Sequence, residues 1–155
     1  MFSGYNVSRK PKHDMKPSSF IAFAFVLTGC SGSVEVDFQV TVQSVDTIVA
    51  EASTQVICDV VVTATAVGDD GQFGRFGEAD FTFRSLANGE VLRSESVSSA
   101  VMSTEFRSQV VESGSSINSQ PIQRLAEEGF YWDFIFYYRN PAGSRSFSET
   151  SVRCG

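Results

Sequence analysis

Residues 130–139 alternate large aromatic side chains with smaller or more polar ones. Successive side chains of a strand point to opposite faces, so residues two apart share a face. This spacing makes the segment the clearest strand in the sequence, with the second face formed by Tyr131, Asp133, Ile135, Tyr137 and Arg139. The aromatic face comprises Phe130, Trp132, Phe134, Phe136 and Tyr138.

Further strand-like runs precede and follow this segment, with turn signals between them. Asn88-Gly89 predicts a hairpin, because both positions of such a turn favour positive φ. Only 121–128 could be helical, and Gly129 would end that helix after about two turns. Seven strands at these spacings predict an all-β, antiparallel sandwich over residues 34–155. The other six strands are expected at 34–45, 55–67, 79–86, 90–97, 146–154 and, more weakly, 103–111.

The end of the chain resembles the last hairpin of fibronectin type III and related immunoglobulin-like domains. In that family a Leu and a Gly lead into an aromatic residue, alternating apolar residues, an Asn and a turn Gly. The resemblance implies an immunoglobulin-like sandwich and says nothing about function. Trp132 departs from it, since the family has a tyrosine there. The matching residues are Leu125, Gly129, Trp132, Phe134, Phe136, Tyr138, Asn140 and Gly143.

The N-terminal segment has the organisation of a secretory signal peptide. Basic residues precede an apolar run at 20–27, and small residues follow it. The run is too short to span a bilayer, which takes about 20 residues. We expect a signal peptide at 1–29. A start at Met15 would give its charged region a more usual length.

The apolar run ends in Leu27-Thr28-Gly29-Cys30. This resembles the lipobox of bacterial lipoproteins, in which an aliphatic residue and two small ones precede an obligatory Cys. The resemblance implies diacylglycerol on the Cys30 sulfur, cleavage after Gly29 and a membrane anchored through acyl chains, with residues 30–33 as a short tether. Ser31 after the Cys resembles the outer-membrane class of Gram-negative lipoproteins.

Lipidation of Cys30 would leave two other cysteines, Cys58 and Cys154. An exported domain can oxidise such a pair. We therefore expect a disulfide that fastens the C-terminus to the body of the domain. The alternative is two buried free thiols.

Charge and composition exclude several classes of function. Residues 30–155 contain eight arginines, no lysine and 17 acidic residues, a net charge of −9. Nucleic-acid binding is not expected, because phosphate contacts need clustered Lys and Arg. Without His or Lys, the mature chain lacks the Ser–His–Asp and Cys–His arrangements and histidine metal ligands. We expect no enzyme, no cofactor and no metal.

Two acidic pairs could have a catalytic or metal-binding role, or could simply lie in solvent-exposed turns. A carboxylate-dependent cell-wall hydrolase could use Glu127-Glu128, although a solvated turn is the more ordinary interpretation. Asp69-Asp70-Gly71 resembles a fragment of a calcium loop, but the required ligand spacing does not continue. Both pairs are interpreted as turns.

A glycine-rich segment at 68–77 is the first candidate contact loop, carrying Phe73, Arg75 and Phe76. Exposed aromatic residues beside an Arg could anchor a protein partner; alternatively, the phenylalanines fold back over the core. The turn from Asn140 to Arg145 is the second candidate. In an immunoglobulin-like sandwich these loops lie at the end where the N-terminus enters, so they would face the bilayer.

The sequence therefore predicts a lipid-anchored envelope protein that is a non-enzymatic binding or structural module with an envelope protein as partner. An accessory subunit or inhibitor of an envelope enzyme, inserting the glycine-rich loop into a cleft, is a further alternative. The sequence does not name the partner.

Overall fold

The computed structural model describes residues 33–50 and 53–155. The predicted signal peptide at 1–29 and the predicted lipidation site Cys30 lie outside them. The described chain forms nine strands and one helix: β1 Val34–Ala50, β2 Ser53–Gly68, β3 Phe73–Ser85, β4 Val91–Val97, α1 Ser99–Glu105, β5 Val110–Glu112, β6 Ser116–Asn118, β7 Ile122–Ala126, β8 Phe130–Arg139 and β9 Arg145–Cys154.

The strands form two antiparallel sheets. The four-stranded sheet has the order β1-β2, with β6 and β7 both paired to the other edge of β2. The five-stranded sheet has the order β4-β3-β8-β9, and β5 also pairs with β3. The prediction of an all-β antiparallel sandwich is confirmed, with more and shorter strands than the seven expected. No helix in the described part is long and apolar enough to cross a membrane.

The aromatic faces of β3 and β8 fill the space between the sheets. All five alternating aromatic residues of β8 are at most 5% exposed, as the sequence predicted. Trp132 stacks on Phe134 with ring centroids 4.7 Å apart, and Phe134 stacks on Phe136 at 5.5 Å. Phe38 of β1 stacks on Phe136 at 4.6 Å and so packs the two sheets together.

A disulfide joins Cys58 in β2 to Cys154, the last residue of β9. The two residues are 96 positions apart in the sequence, and their Cα atoms are 5.7 Å apart. The predicted disulfide is present, and it links the two sheets covalently.

The hairpin of β1 and β2 extends beyond the rest of the sandwich. Pairing runs from Val34 opposite Gly68 to Ala50 opposite Ser53, with a bulge between Val42 and Ser44. Neighbouring β7 pairs with β2 only from residue 56 to residue 60. Residues 45–50 and 53–54 are exposed, so this part of the hairpin projects from the body of the domain.

Two local expectations differ from the structure. The strand expected at 103–111 instead contains the last three residues of α1, a turn at 106–109 and the start of β5. Met102 and Phe106 are four residues apart, one helical turn, and both are buried. The Ser98 hydroxyl caps this helix by accepting a hydrogen bond from the Val101 backbone N–H. The segment 121–128, named as the one that could be helical, instead contains β7, in which Ile122 pairs with Val60 of β2.

The Asn88-Gly89 hairpin between β3 and β4 is confirmed, but its turn differs from the expected one. Gly89 has a φ of 76°, whereas Asn88 does not reach positive φ. The Ser85 backbone N–H donates to the Glu90 carbonyl, so the loop contains four residues rather than two. The Asn88 side chain accepts from the Glu90 N–H at 3.0 Å instead.

Candidate functional site

The start of β1 lies at the same end of the sandwich as both predicted contact loops. Val34 pairs with Gly68, directly before the turn at 69–72. The same shallow pocket is lined by Val34, Gly68, Tyr138 and Asn140. We call this the tether end, defined by Val34, the 69–72 turn and the 140–144 turn.

The structure corrects the first contact loop. Residues 73–77 belong to β3, and only 69–72 form a turn, closed by a hydrogen bond from the Gln72 N–H to the Asp69 carbonyl. Phe76 is 4% exposed and stacks on Phe106 with centroids 4.5 Å apart. Phe73 is half-buried, and Arg75 is exposed on β3 opposite Arg139. Phe76 is therefore a core residue and not a contact residue.

The glycines of this segment allow close packing rather than loop flexibility. A Cβ on Gly74 would approach Val36 Cγ2 to 2.3 Å, and one on Gly77 would approach the Tyr137 carbonyl oxygen to 2.8 Å. Both distances are too short for real Cβ contacts. These positions bring β3 close to β1 and β8, a role that glycine also fulfils inside strands.

The second contact loop is present as an exposed turn. The Asn140 side-chain oxygen accepts from the Ser144 N–H at 2.9 Å, which fixes the turn. Arg145 lies over the Tyr137 ring at 3.8 Å from its centroid and pairs with Glu78. The Arg145 guanidinium is thus already engaged by two residues of the same domain.

Ion pairs also occupy the outer face of the five-stranded sheet. Arg84 donates two hydrogen bonds to the Asp133 carboxylate, and Ser151 donates a third at 2.7 Å. The hydrogen bond from Arg84 lowers the pKa of Asp133 below its usual range. Partial burial, followed by the hydrogen bond to Asp80, raises the pKa of Tyr137.

A groove opens at the opposite end of the molecule, between the edge strands β4 and β7. Its volume is about 630 Å³. We call it the distal groove, and it is lined by Gln55, Phe83, Leu92, Arg93, Leu125, Ala126, Glu127 and Glu128. These residues come from β2, β3, β4, β7 and the turn before β8, so the sandwich itself assembles the groove.

Two cations border the distal groove. Arg124 of β7 reaches across to Glu95 of β4, with Nε 2.7 Å from the carboxylate oxygen. This pair bridges the two edge strands on the open side of the sandwich. Arg93 lies over the Phe83 ring at 4.4 Å from its centroid. Inward-directed charges of this kind are a common protection for edge strands.

Large apolar side chains are exposed around the distal groove and on the projecting hairpin. Leu92 is 43% exposed and Leu125 is 46% exposed, and both line the groove. Ile48 is 49% exposed and pairs with Gln55, another lining residue. No local sequence signal marks this surface, because Leu92 and Leu125 are 33 positions apart in the sequence and neither is unusual by itself.

The acidic pairs lie in turns. Glu127 and Glu128 are both exposed at the rim of the distal groove. Asp69 and Asp70 are exposed in the 69–72 turn. Within residues 33–50 and 53–155, no three His, Cys, Asp or Glu side chains are grouped closely enough to hold a metal ion.

The geometry defines a disulfide-linked, all-β sandwich with a groove of mixed polar and apolar lining at one end. No protein-family model matches the chain, and no curated protein matches it. A structural genomics target designated SoR45 has a similar structure, with a TM-score of 0.61 and 9% identity over 79% of this chain and 86% of the other. A crystal structure assigned to the ApaA protein of Bordetella pertussis aligns with a TM-score of 0.47 and 11% identity over 80% of this chain and 89% of the other. The first similarity supports the fold alone.

Proposed function

We propose that the protein is a lipid-anchored bacterial envelope protein whose β-sandwich is a non-enzymatic binding module. The main support for the proposal is that two of the three cysteines form a disulfide and the third ends a lipobox-like sequence. Cys58 and Cys154 are joined in a disulfide, which is typical of exported proteins. The remaining cysteine, Cys30, is the one that ends the lipobox-like sequence after a short apolar run.

The length of the tether sets the orientation of the domain. Four residues from Cys30 to Ser33 precede Val34 and reach about 13 Å when extended. Acyl chains on Cys30 would therefore hold the tether end close to the bilayer. The distal groove and the projecting hairpin, at the other end, would face away from the membrane and be accessible to a partner.

Two finer assignments belong to the same proposal. Ser31 favours the outer membrane if the organism is Gram-negative. The fibronectin type III or immunoglobulin-like resemblance is supported by the strand order, in which β8 lies between β3 and β9 as the last hairpin of that family requires.

Intact-mass analysis of the protein extracted from native membranes tests the proposal. We expect a chain that begins at Cys30, carries a diacylglycerol group and usually a third acyl chain, and has lost two hydrogens to the disulfide. A Cys30→Ala variant is expected to leave the membrane fraction, while an internal control such as Ser44→Ala stays in it. An unprocessed chain with reduced thiols would overturn the proposal.

A further inference from the structure

β7 offers a free strand edge next to the distal groove, whose lining is half apolar and half polar. In the described part of the chain, β7 pairs only with β2, so its other edge has no strand partner. A free edge presents backbone N–H and C=O groups that can pair with an added strand. We propose that an extended segment of a basic partner protein pairs with β7 and places aliphatic side chains in the distal groove.

The groove suits the side chains of such a segment. Alternate residues of an added strand point to opposite faces of the sheet. One set would lie beside Leu125 on the outer face of the four-stranded sheet. The other set would enter the distal groove, whose accessible apolar surface comes from Leu92 and Ala126.

The ion pair between Arg124 and Glu95 limits where the segment can enter. The Arg124 Nε atom lies 2.7 Å from a Glu95 carboxylate oxygen, so the pair connects β7 to β4 beside the groove. Leu125 and Ala126 follow Arg124 in β7, on the groove side of this bridge. The inserted side chains would therefore contact the second half of β7, beyond the ion pair.

Charge identifies the partner as basic. Of the two cations at the groove, Arg124 is paired with Glu95 and Arg93 lies over the Phe83 ring. Glu127 and Glu128 are exposed on the rim, and residues 30–155 carry a net charge of −9. A second copy of the chain would oppose carboxylates to carboxylates, and an anionic lipid surface would also be repelled. In a protein segment that alternates aliphatic residues with Lys or Arg, the aliphatic side chains can pack in the groove while the cations pair with the carboxylates on its rim.

This inference rests on the proposal of a binding module, but it does not depend on lipidation. The described strands, the helix and the disulfide form one sandwich with its own core between residues 33 and 155, so protein from Ser31 onward is used. The probe is a fluorescent, capped heptapeptide of alternating Lys and Leu. One control replaces Lys by Glu, and another carries N-methyl groups on alternate backbone amides, which removes strand pairing.

We expect saturable binding of the Lys–Leu peptide by fluorescence anisotropy. Leu125→Ser should weaken it at least tenfold, and Glu127→Gln with Glu128→Gln should weaken it severalfold. The matched control is Val67→Ser, an exposed aliphatic residue of the same sheet at the tether end. Near-ultraviolet circular dichroism verifies the fold of each variant.

The inference is overturned if the Glu–Leu or N-methylated peptide binds equally well, if Leu125→Ser has no effect, or if Val67→Ser has the same effect. Absence of binding to a correctly folded protein also overturns it. That result leaves the proposed function intact if the native protein is lipidated, because the mass analysis is a separate measurement.

Discussion

The disulfide between Cys58 and Cys154 joins the four-stranded sheet to the last residue of the five-stranded sheet. A loop of nearly 100 residues is closed by it, and such a closure stabilises a fold by up to about 4.7 kcal/mol through the unfolded chain. We expect Cys58→Ala with Cys154→Ala to lower the free energy of unfolding by about 3–4 kcal/mol. Urea unfolding of the oxidised protein and the double variant measures this difference. A loss below about 1 kcal/mol would contradict it.

Phe76 decides between the two interpretations of the 68–77 segment in favour of a phenylalanine that folds back over the core. It stacks on Phe106 and is 4% exposed. Phe76→Ala should therefore cost about 3–5 kcal/mol, the usual range for a buried phenylalanine. Phe73→Ala, at a half-buried position three residues earlier, serves as the control and should cost clearly less. Equal, small losses in both variants would restore the contact-loop interpretation.

The ion pair of Arg84 with Asp133 predicts a pH dependence. The hydrogen bond from Arg84 lowers the folded-state pKa of Asp133 below its ordinary value of 3.8. The ionised carboxylate thus stabilises the fold above the unfolded-state pKa, and this stabilisation is lost as pH falls through the folded-state pKa. Asp133→Asn should lower stability at pH 5–7, with the difference shrinking below pH 3.8.

Chemical unfolding at several pH values measures that dependence. Asp70→Asn, a change in the exposed 69–72 turn, makes the same alteration of charge without an ion pair to Arg84. It should produce no comparable pH-dependent loss. A difference between wild type and Asp133→Asn that stays constant down to pH 2 would show that the ion pair does not contribute.

The sequence predicted the long strands well because their alternation is dictated by burial. β8 has the predicted bounds of 130–139, and every residue assigned to its aromatic face is buried. The first half of β1 lies within the strand expected at 34–45, and its buried residues Val34, Val36 and Phe38 alternate with exposed ones. Beyond the bulge after Val42, the pairing shifts and the strand leaves the core, so the sequence pattern weakened there.

Short elements were not predictable in the same way, because contacts distant in sequence define them. β7 is a strand because Ile122 and its neighbours pair with β2, more than 60 positions earlier. α1 does carry a local signal, because the Ser98 cap is followed by Met102 and Phe106 at helical spacing, but the strand propensity of residues 103–111 predicts a strand there. The distal groove has no sequence signature, since its lining residues meet only when β4 and β7 lie at neighbouring edges.

Gly77 tests the reason for the glycines in β3. The strand register shifts between Phe76 and Ala79, where β3 passes the Tyr137 carbonyl. An added methyl group at Gly77 would lie 2.8 Å from that carbonyl oxygen, and the backbone would have to shift. Overpacking of this kind costs about 1–3 kcal/mol, so Gly77→Ala should lower the midpoint of urea unfolding. Gln72→Ala, in the neighbouring turn, should leave it nearly unchanged. If both variants unfold at the wild-type midpoint, the close approach of β3 and β8 does not require glycine.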